Sequence, residues 1–181
     1  TRLAHLDADV CLADLSPKQY LPEMGFVLRA DDFNAAQIGN WLQNSSLPVN
    51  MKSALQGVTF RDISGFLNGC IDLTCVASNG RVYVIDYKSN HLGMQLGDYT
   101  DRALDHAITD HRYYLQALIY ALAVERYLQG RGFKAEAIHI RYLFLRGMQA
   151  ESNQGIWRWD IEASELEKLT PILLHDTIGT V

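Results

Sequence analysis

The sequence of 181 residues contains no long apolar run, and residues 1–5 do not lead into an apolar segment. A membrane-spanning helix needs about 18 or more consecutive apolar residues. A secretory signal peptide needs an apolar segment behind a basic one. We therefore expect no membrane-spanning helix and no signal peptide.

Cysteine is scarce, with only Cys11, Cys70 and Cys75, and the sequence has no C-x-x-C pair and no Cys/His cluster with zinc spacing. An iron–sulfur cluster needs about four thiolates, so none is expected. An odd number of cysteines without a disulfide framework is typical of a reducing compartment. We predict three buried free thiols and a cytoplasmic location.

Positively charged residues are also few. The sequence has 16 Lys and Arg residues against 21 Asp and Glu residues, which gives a net charge of -5. Binding to nucleic acid by phosphate neutralisation needs clustered Lys and Arg. The balance argues mildly against a free-standing nucleic-acid binder. It does not exclude a nuclease, because such a site gathers carboxylates while another domain or subunit supplies basic residues.

The rest of the composition is that of a globular protein, with 48% hydrophobic and 20% charged residues. We predict one domain over residues 1–181, in which residues 1–19 are a weakly patterned lead-in that could be frayed. The sequence does not begin with Met, which leads us to expect a piece of a larger polypeptide. It contains no P-loop, so no ATP site is expected in this segment.

Hydrophobic periodicity and turn residues predict an α/β (α+β) domain with one mixed sheet and helices on its faces. Strands are predicted over residues 20–29, 65–77, 80–88, 137–145 and 155–161. Helices are predicted after residues 31–32, over 100–109, from a cap at Asp110 to Gln129, and from a capping box at 164–167.

Two aspartates lie in segments that otherwise have the pattern of buried strands, Asp72 in one and Asp86 in the next. Aspartate is depleted in strands and is almost never buried without a partner. A metal ion is a candidate partner. Asp86 and Lys88 are two residues apart on one strand, so they point to the same face.

Asp72 joins that face only in one register of the predicted hairpin. A three-residue loop over 78–80 places Asp72 opposite Asp86, with a glycine in the left-handed position that such loops favour. A two-residue turn at 79–80 instead places Asp72 opposite Tyr87, on the wrong face, unless a bulge repairs the register. We predict the three-residue loop or a bulge.

Two carboxylates and a lysine on one face suit the hydrolysis of a phosphodiester. Hard oxygen ligands select Mg²⁺, or Mn²⁺ in its place. Such an ion lowers the pKa of a bound water and stabilises charge on the phosphoryl oxygens. Lys88 could orient or deprotonate that water, or contact the developing negative charge. The alternative interpretation is a buried ion pair between Lys88 and either aspartate.

The longest predicted helix carries Tyr113, Gln116 and Tyr120 on one face, with Arg112 near its start. A helix N-terminus beside an arginine can bind phosphate. Arg112, Tyr113 and Arg146 are therefore candidate DNA-binding residues, and Arg141 is another candidate for contact with phosphates. A core stripe on the helix and a solvated face for the arginines are the alternatives.

Four blocks of sequence carry a family resemblance: GFLNGCIDL (65–73), YVIDYKSN (83–90), HRYYLQALIY (111–120) and YLFLRG (142–147). In order and spacing they closely resemble the RecB-type nuclease domains of the PD-(D/E)xK superfamily, over about residues 22–147. The resemblance implies a restriction-endonuclease-like fold. It also implies Mg²⁺-dependent cleavage of DNA by an enzyme of the exodeoxyribonuclease V type.

The resemblance further implies roles for matching residues. Asp72 and Asp86 would be metal ligands, with the backbone carbonyl of Tyr87 as a candidate third, and Lys88 would be the catalytic lysine. The supporting residues match the family's helix motif or, with less certainty, an acidic position on the preceding strand, and they are Gln116, Tyr120 and Glu23.

One departure from the family pattern concerns the metal site. The family also uses a histidine in a Gly-Thr-x-x-His pattern upstream of the Glu23 strand, and the 181 residues lack this pattern. His5 is too close to Glu23 to take that role. The leading hypothesis is the nuclease domain of a helicase–nuclease complex for recombinational repair, acting on DNA with RecC- and RecD-like subunits. The alternatives are a non-catalytic module that docks a RecA-like recombinase and, disfavoured by the missing Met, a free-standing endonuclease.

Overall fold

The computed structural model describes residues 5–30, 40–41, 43–45, 49, 52, 65–150 and 152–173. In chain order its strands and main helices are β1 (His5–Asp7), β2 (Val10–Cys11), β3 (Tyr20–Ala30), β4 (Gly65–Val76), β5 (Val82–Lys88), α1 (Asp101–Asp110), α2 (Tyr113–Gln129), β6 (Ala137–Phe144), β7 (Ile156–Glu162) and α3 (Ala163–Leu173).

Five of these strands form one mixed sheet in the order β3-β4-β5-β6-β7. β5 and β6 run parallel, and the other neighbours run antiparallel. A parallel pair needs a crossover connection, which α1 and α2 supply. This arrangement confirms the predicted fold class, a restriction-endonuclease-like mixed central sheet with flanking helices.

β5 and β6 lie at the centre of the sheet and are buried on both faces, which explains why their sequences are almost continuously apolar. Val82 and Val84 pack into the larger core, beneath the helices. Tyr83 and Ile85, which alternate with them, pack into a second core on the opposite face. Charged residues at the end of β5 therefore emerge from an interior strand.

The boundary between α1 and α2 differs from the prediction. Thr100 caps α1 by accepting a hydrogen bond from the Ala103 N–H (3.3 Å). Asp110 is the last residue of α1 and pairs with His106 at 2.8 Å, so it does not cap α2. Arg112 adopts a left-handed conformation (φ 55°), which interrupts the helical backbone and lets α2 begin at the next residue.

The predicted capping box at residues 164–167 is also wrong. α3 begins at Ala163, directly after β7, and the Ala163 N–H donates to the Glu136 carbonyl (2.9 Å). Ser164 therefore lies inside the first turn. Trp41 is helical and buried, and its indole N–H donates to the Glu165 carbonyl (3.1 Å). Most of the helix predicted after residues 31–32 lies outside the described residues.

Residues 5–14 are not a frayed lead-in. β1 and β2 pair antiparallel into a small hairpin, and Leu6 and Val10 enter the second core with Ile85 and Leu143. Apolar and acidic residues alternate over residues 6–10, but this pattern spans only five residues. The hairpin covers the sheet face opposite the helices, directly behind the strand that carries Asp86.

Arg141, on β6, anchors this hairpin. Its side chain is only 1% exposed and donates to the Leu6 carbonyl (2.8 Å), to Asp7 Oδ1 (2.8 Å) and to Asp160 Oδ1 (2.7 Å). The Tyr83 hydroxyl donates to the other oxygen of Asp7 (2.7 Å). A buried guanidinium needs acceptors for its N–H groups. Arg141 is therefore a structural residue, and both a phosphate contact and a solvated face are wrong for it.

None of the three cysteines, all of which lie in the described residues, forms a disulfide. Cys11 and Cys75 are buried, and burial raises the pKa of Cys75 to about 12. Cys70 is exposed, so the prediction of a buried thiol is wrong there. No helix in the described part of the chain is both long and apolar enough to cross a membrane.

We predict that Arg141→Met lowers the free energy of unfolding by about 3 kcal/mol, because it leaves Asp7 and the Leu6 carbonyl without their buried partner. Urea unfolding followed by circular dichroism measures this change. Arg102→Met, on the exposed side of α1, is the control and should change stability by less than about 0.5 kcal/mol. Equal effects of the two substitutions would contradict the anchoring role.

Candidate active site

The loop between β4 and β5 has the predicted three residues. The Ala77 N–H donates to the Arg81 carbonyl and the Gly80 N–H to the Ala77 carbonyl, both at 2.9 Å. Gly80 has a φ of +83°, the left-handed conformation that such a loop needs. The register runs to the pair Leu73–Ile85. Continued by one residue, this register places Asp72 opposite Asp86, which is the pairing that the three-residue loop predicts.

The backbone pairing of β4 and β5 ends at this point, and the side chain of Asp72 makes the next hydrogen bond to β5. The last backbone partners are Leu73 and Ile85. Beyond them, Asp72 Oδ2 accepts a hydrogen bond from the Tyr87 N–H (2.9 Å). The carboxylate thus replaces a backbone carbonyl as the acceptor for β5. This bond holds Asp72 beside the end of β5, next to Asp86.

At the same level of the sheet, the side chains of β4 change the face to which they point. Met24 and Ile71 pack in the core beneath the helices, whereas Leu73 packs in the opposite core. Regular strands keep residues two apart on one face, so the alternation is broken between Leu73 and Ile71. Across from this break Glu23 has a φ of +50°, and both Glu23 and Asp72 lack a partner in the β3–β4 register. A non-glycine residue in this conformation is uncommon and is typical of functional sites.

Lys88 and Asp86 form a buried ion pair. They are 6% and 5% exposed, and Lys88 Nζ lies 2.7 Å from Asp86 Oδ2. The ammonium also donates to Gln116 Oε1 on α2 (2.7 Å). Lys88 and Asp86 therefore share one face, as predicted, and they also form the ion pair of the alternative interpretation. The pair leaves the second oxygen of Asp86 without a bond to Lys88.

The pKa of Asp86 is raised above its ordinary value. Burial is the largest cause. The hydrogen bond and the charge of Lys88 act in the opposite direction, and the nearby charge of Asp72 adds to the increase. A second cation close to this carboxyl would stabilise its charged form and so offset part of the cost of burial.

Gln116 and Tyr120 connect α2 to β4 beside the ion pair. Gln116 Nε2 donates to the Tyr120 hydroxyl (2.9 Å), which donates to the Cys70 carbonyl (3.0 Å). Burial raises the pKa of Tyr120 to about 12, so the phenol stays protonated as this donor. The structure thus brings both predicted supporting residues of α2 to the site.

The candidate DNA-binding residues are dispersed around the rim. Arg112 is exposed at the junction of the two helices. Arg146 is exposed after β6 and donates to the Ser89 carbonyl (3.2 Å), one residue beyond Lys88. Tyr113 instead lies partly buried with its ring centroid 3.8 Å from Lys88 Nζ. The two arginines are thus open to solvent, whereas Tyr113 faces inward.

Sequence reasoning missed Tyr142 as a site residue. This tyrosine of β6 is fully buried, its ring centroid lies 4.5 Å from Lys88 Nζ, and its hydroxyl donates to the Tyr113 carbonyl (3.1 Å). A buried aromatic residue in an apolar strand has the same pattern as any core residue. Only the register of β5 and β6, which pairs Asp86 with Tyr142, identifies it.

Among the described residues, no group of three or more His, Cys, Asp or Glu side chains is placed to hold a metal ion. The oxygen donors at this site are the two carboxylates, Asp72 and Asp86. Mg²⁺ commonly binds through one or two carboxylates and keeps several waters. The residues present therefore fit a hydrated divalent cation that uses few protein ligands.

A family model and several known proteins match most of this chain. The model of the PD-(D/E)XK nuclease superfamily matches residues 8–176. A protein named RecBCD enzyme subunit RecB from Haemophilus influenzae is 35% identical over 153 residues, which cover 82% of this chain and 12% of that protein. The proteins of the same name from Escherichia coli and Mycobacterium tuberculosis are 34% and 28% identical over 83% and 96% of the chain, and over 13% and 18% of their own lengths. The chain thus spans less than a fifth of these relatives.

We predict that Tyr120→Phe lowers the free energy of unfolding by about 1–2 kcal/mol, because the Cys70 carbonyl and Gln116 Nε2 lose their partner. Denaturant unfolding measures the loss. The control is Tyr127→Phe on the same helix, whose hydroxyl makes no hydrogen bond within the described residues. A loss no larger than that of the control would show that the link between α2 and β4 is not formed.

Proposed function

We infer a function from one premise: this chain belongs to the PD-(D/E)XK nuclease superfamily. We propose that it hydrolyses DNA phosphodiester bonds with Mg²⁺, or Mn²⁺ as a substitute, as the nuclease domain of a helicase–nuclease complex of the exodeoxyribonuclease V type. The observation that carries this proposal is the buried Asp86–Lys88 ion pair, with the Asp72 carboxylate bonded to the Tyr87 N–H beside it. Three charged groups converge there at the end of an interior strand, where structural stability alone favours apolar residues.

Each residue of this face has a role in the proposal. Asp72 and Asp86 would hold the cation, with the Tyr87 backbone carbonyl as a third ligand. The cation, when bound, would lower the pKa of a water molecule and stabilise charge on the phosphoryl oxygens. Lys88 carries a positive charge beside Asp86 and can donate a hydrogen bond to a phosphoryl oxygen or orient the attacking water.

The surrounding residues complete the proposal. Gln116 fixes Lys88 through the bond to its ammonium group, and Tyr120 fixes Gln116 against β4. Glu23 lies on the adjacent strand at the break in the ladder and would support the metal site. Arg112 and Arg146, which are exposed, would contact DNA phosphates.

The relatives named as subunits of the RecBCD enzyme suggest the partners. We propose that this chain acts with RecC- and RecD-like subunits, in the cytoplasm, on DNA that those subunits deliver. Basic residues in those subunits would compensate for the net charge of -5. The alternative is a non-catalytic module that docks a RecA-like recombinase, and the acidic balance of the chain motivates it.

We predict that Asp86→Asn and Lys88→Ala each reduce DNA cleavage by about 100-fold or more, because each removes a charge at the reacting phosphate. The assay measures nucleotide release from linear DNA with Mg²⁺, with Mn²⁺ and with a chelator. Asp110→Asn and Lys134→Ala, both on the surface, are the matched controls and should retain full activity.

Two outcomes would contradict this account. Cleavage that is unaffected by Asp86→Asn and Lys88→Ala would place the activity elsewhere. A folded chain that cleaves no DNA with either metal, alone or with its partner subunits, would favour the docking module.

A further inference from the structure

The Lys88 ammonium group has an unusual environment for a lysine. It is nearly excluded from solvent, and it has only two acceptors among the described residues, Asp86 Oδ2 and Gln116 Oε1, both at 2.7 Å. Its remaining surroundings are two tyrosine rings. The ring centroids of Tyr113 and Tyr142 lie 3.8 and 4.5 Å from Nζ.

Aromatic rings can hold a cation without consuming its hydrogen bonds. The negative face of a ring attracts an ammonium group, and the attraction grows when both are removed from water. An ammonium group has three N–H donors, and the two acceptors above account for two of them. The third donor therefore stays available for an oxygen atom that enters the site.

The ring of Tyr113 is itself fixed from several directions. The Tyr142 hydroxyl donates to the Tyr113 carbonyl (3.1 Å), and the Tyr113 hydroxyl donates to Asn90 Oδ1 (3.3 Å). The two tyrosine rings meet edge to face at 6.1 Å, and the ring of His111 stacks on Tyr113 at 5.2 Å. A ring held in this way can define the position of a flexible lysine side chain.

We propose that Tyr113, supported by Tyr142, is a positioning residue that holds the Lys88 ammonium group beside Asp86 and Gln116 and keeps its third N–H directed to the substrate phosphate. This inference rests on the proposed nuclease function. It gives Tyr113 a different role from contact with DNA. A positioning residue affects the rate of the chemical step, whereas a DNA contact affects substrate binding.

The test compares three variants of the full chain with the wild type. Tyr113→Leu removes the ring, Tyr113→Phe keeps the ring and removes only the hydroxyl, and Tyr127→Leu is the matched control. Tyr127 is a partly buried tyrosine on the same helix, and its ring also lies beneath a cation, with the Arg131 guanidinium carbon 3.5 Å from the centroid. The control therefore reproduces the loss of a ring and of a cation–π contact away from the site.

We expect Tyr113→Leu to lower kcat by about 10- to 100-fold with little change in KM, because small displacements of a catalytic group have effects of this size. Tyr113→Phe should recover most of that loss, and Tyr127→Leu should retain the wild-type kcat. Melting temperatures of all variants show whether each remains folded. An unchanged kcat in folded Tyr113→Leu, or an effect confined to KM, would overturn the inference.

A second measurement does not depend on activity. The ¹⁵N–¹H signal of a lysine ammonium group is visible by NMR only when the group is shielded from exchange with water, and Lys88→Met identifies the signal of Lys88. We expect Tyr113→Leu to abolish this signal and Tyr113→Phe to retain it, and a signal that persists in Tyr113→Leu would overturn the inference. The proposed function fails separately, if Lys88→Ala leaves DNA cleavage intact.

Discussion

The register of the β4–β5 hairpin is the constraint on which the site depends. A strand has a side-chain period of two, so a shift by one residue would move Asp72 to the opposite face from Asp86 and Lys88. Gly80, in its left-handed conformation, sets the loop at three residues and thereby fixes that register. The turn lies several residues beyond Asp72 along β4, yet it determines whether the two carboxylates can share a ligand.

A second constraint is the burial of charge at the end of an interior strand. Asp86 and Lys88 are almost fully buried, and each compensates part of the desolvation of the other. α2 supplies the remaining contacts through Gln116 and Tyr113. On the opposite face, the N-terminal hairpin and Arg141 seal the sheet behind β5. The charged cluster is therefore held from both faces of the sheet.

Much of this arrangement could be predicted from the sequence, because hydrophobic periodicity and glycine-containing turns act locally. The strands, the hairpin register and the shared face follow from such local patterns. The N-terminal hairpin was not predicted, since the alternation around Leu6 and Val10 spans only five residues and these side chains acquire their role only through distant residues such as Leu143. Arg141 was misassigned for the same reason, because only tertiary contacts distinguish a buried arginine from an exposed one. Tyr142 was missed because only tertiary contacts distinguish a tyrosine of the site from one of the core.

The central claim is that Asp72 and Asp86 together form a binding site for a divalent cation. A crystal of the chain soaked in millimolar Mn²⁺, with data collected at the manganese absorption edge, tests this claim directly. The account predicts an anomalous peak in contact with both carboxylates in the wild type and its loss in Asp86→Asn. An intact fold without a peak at these two residues would contradict the account.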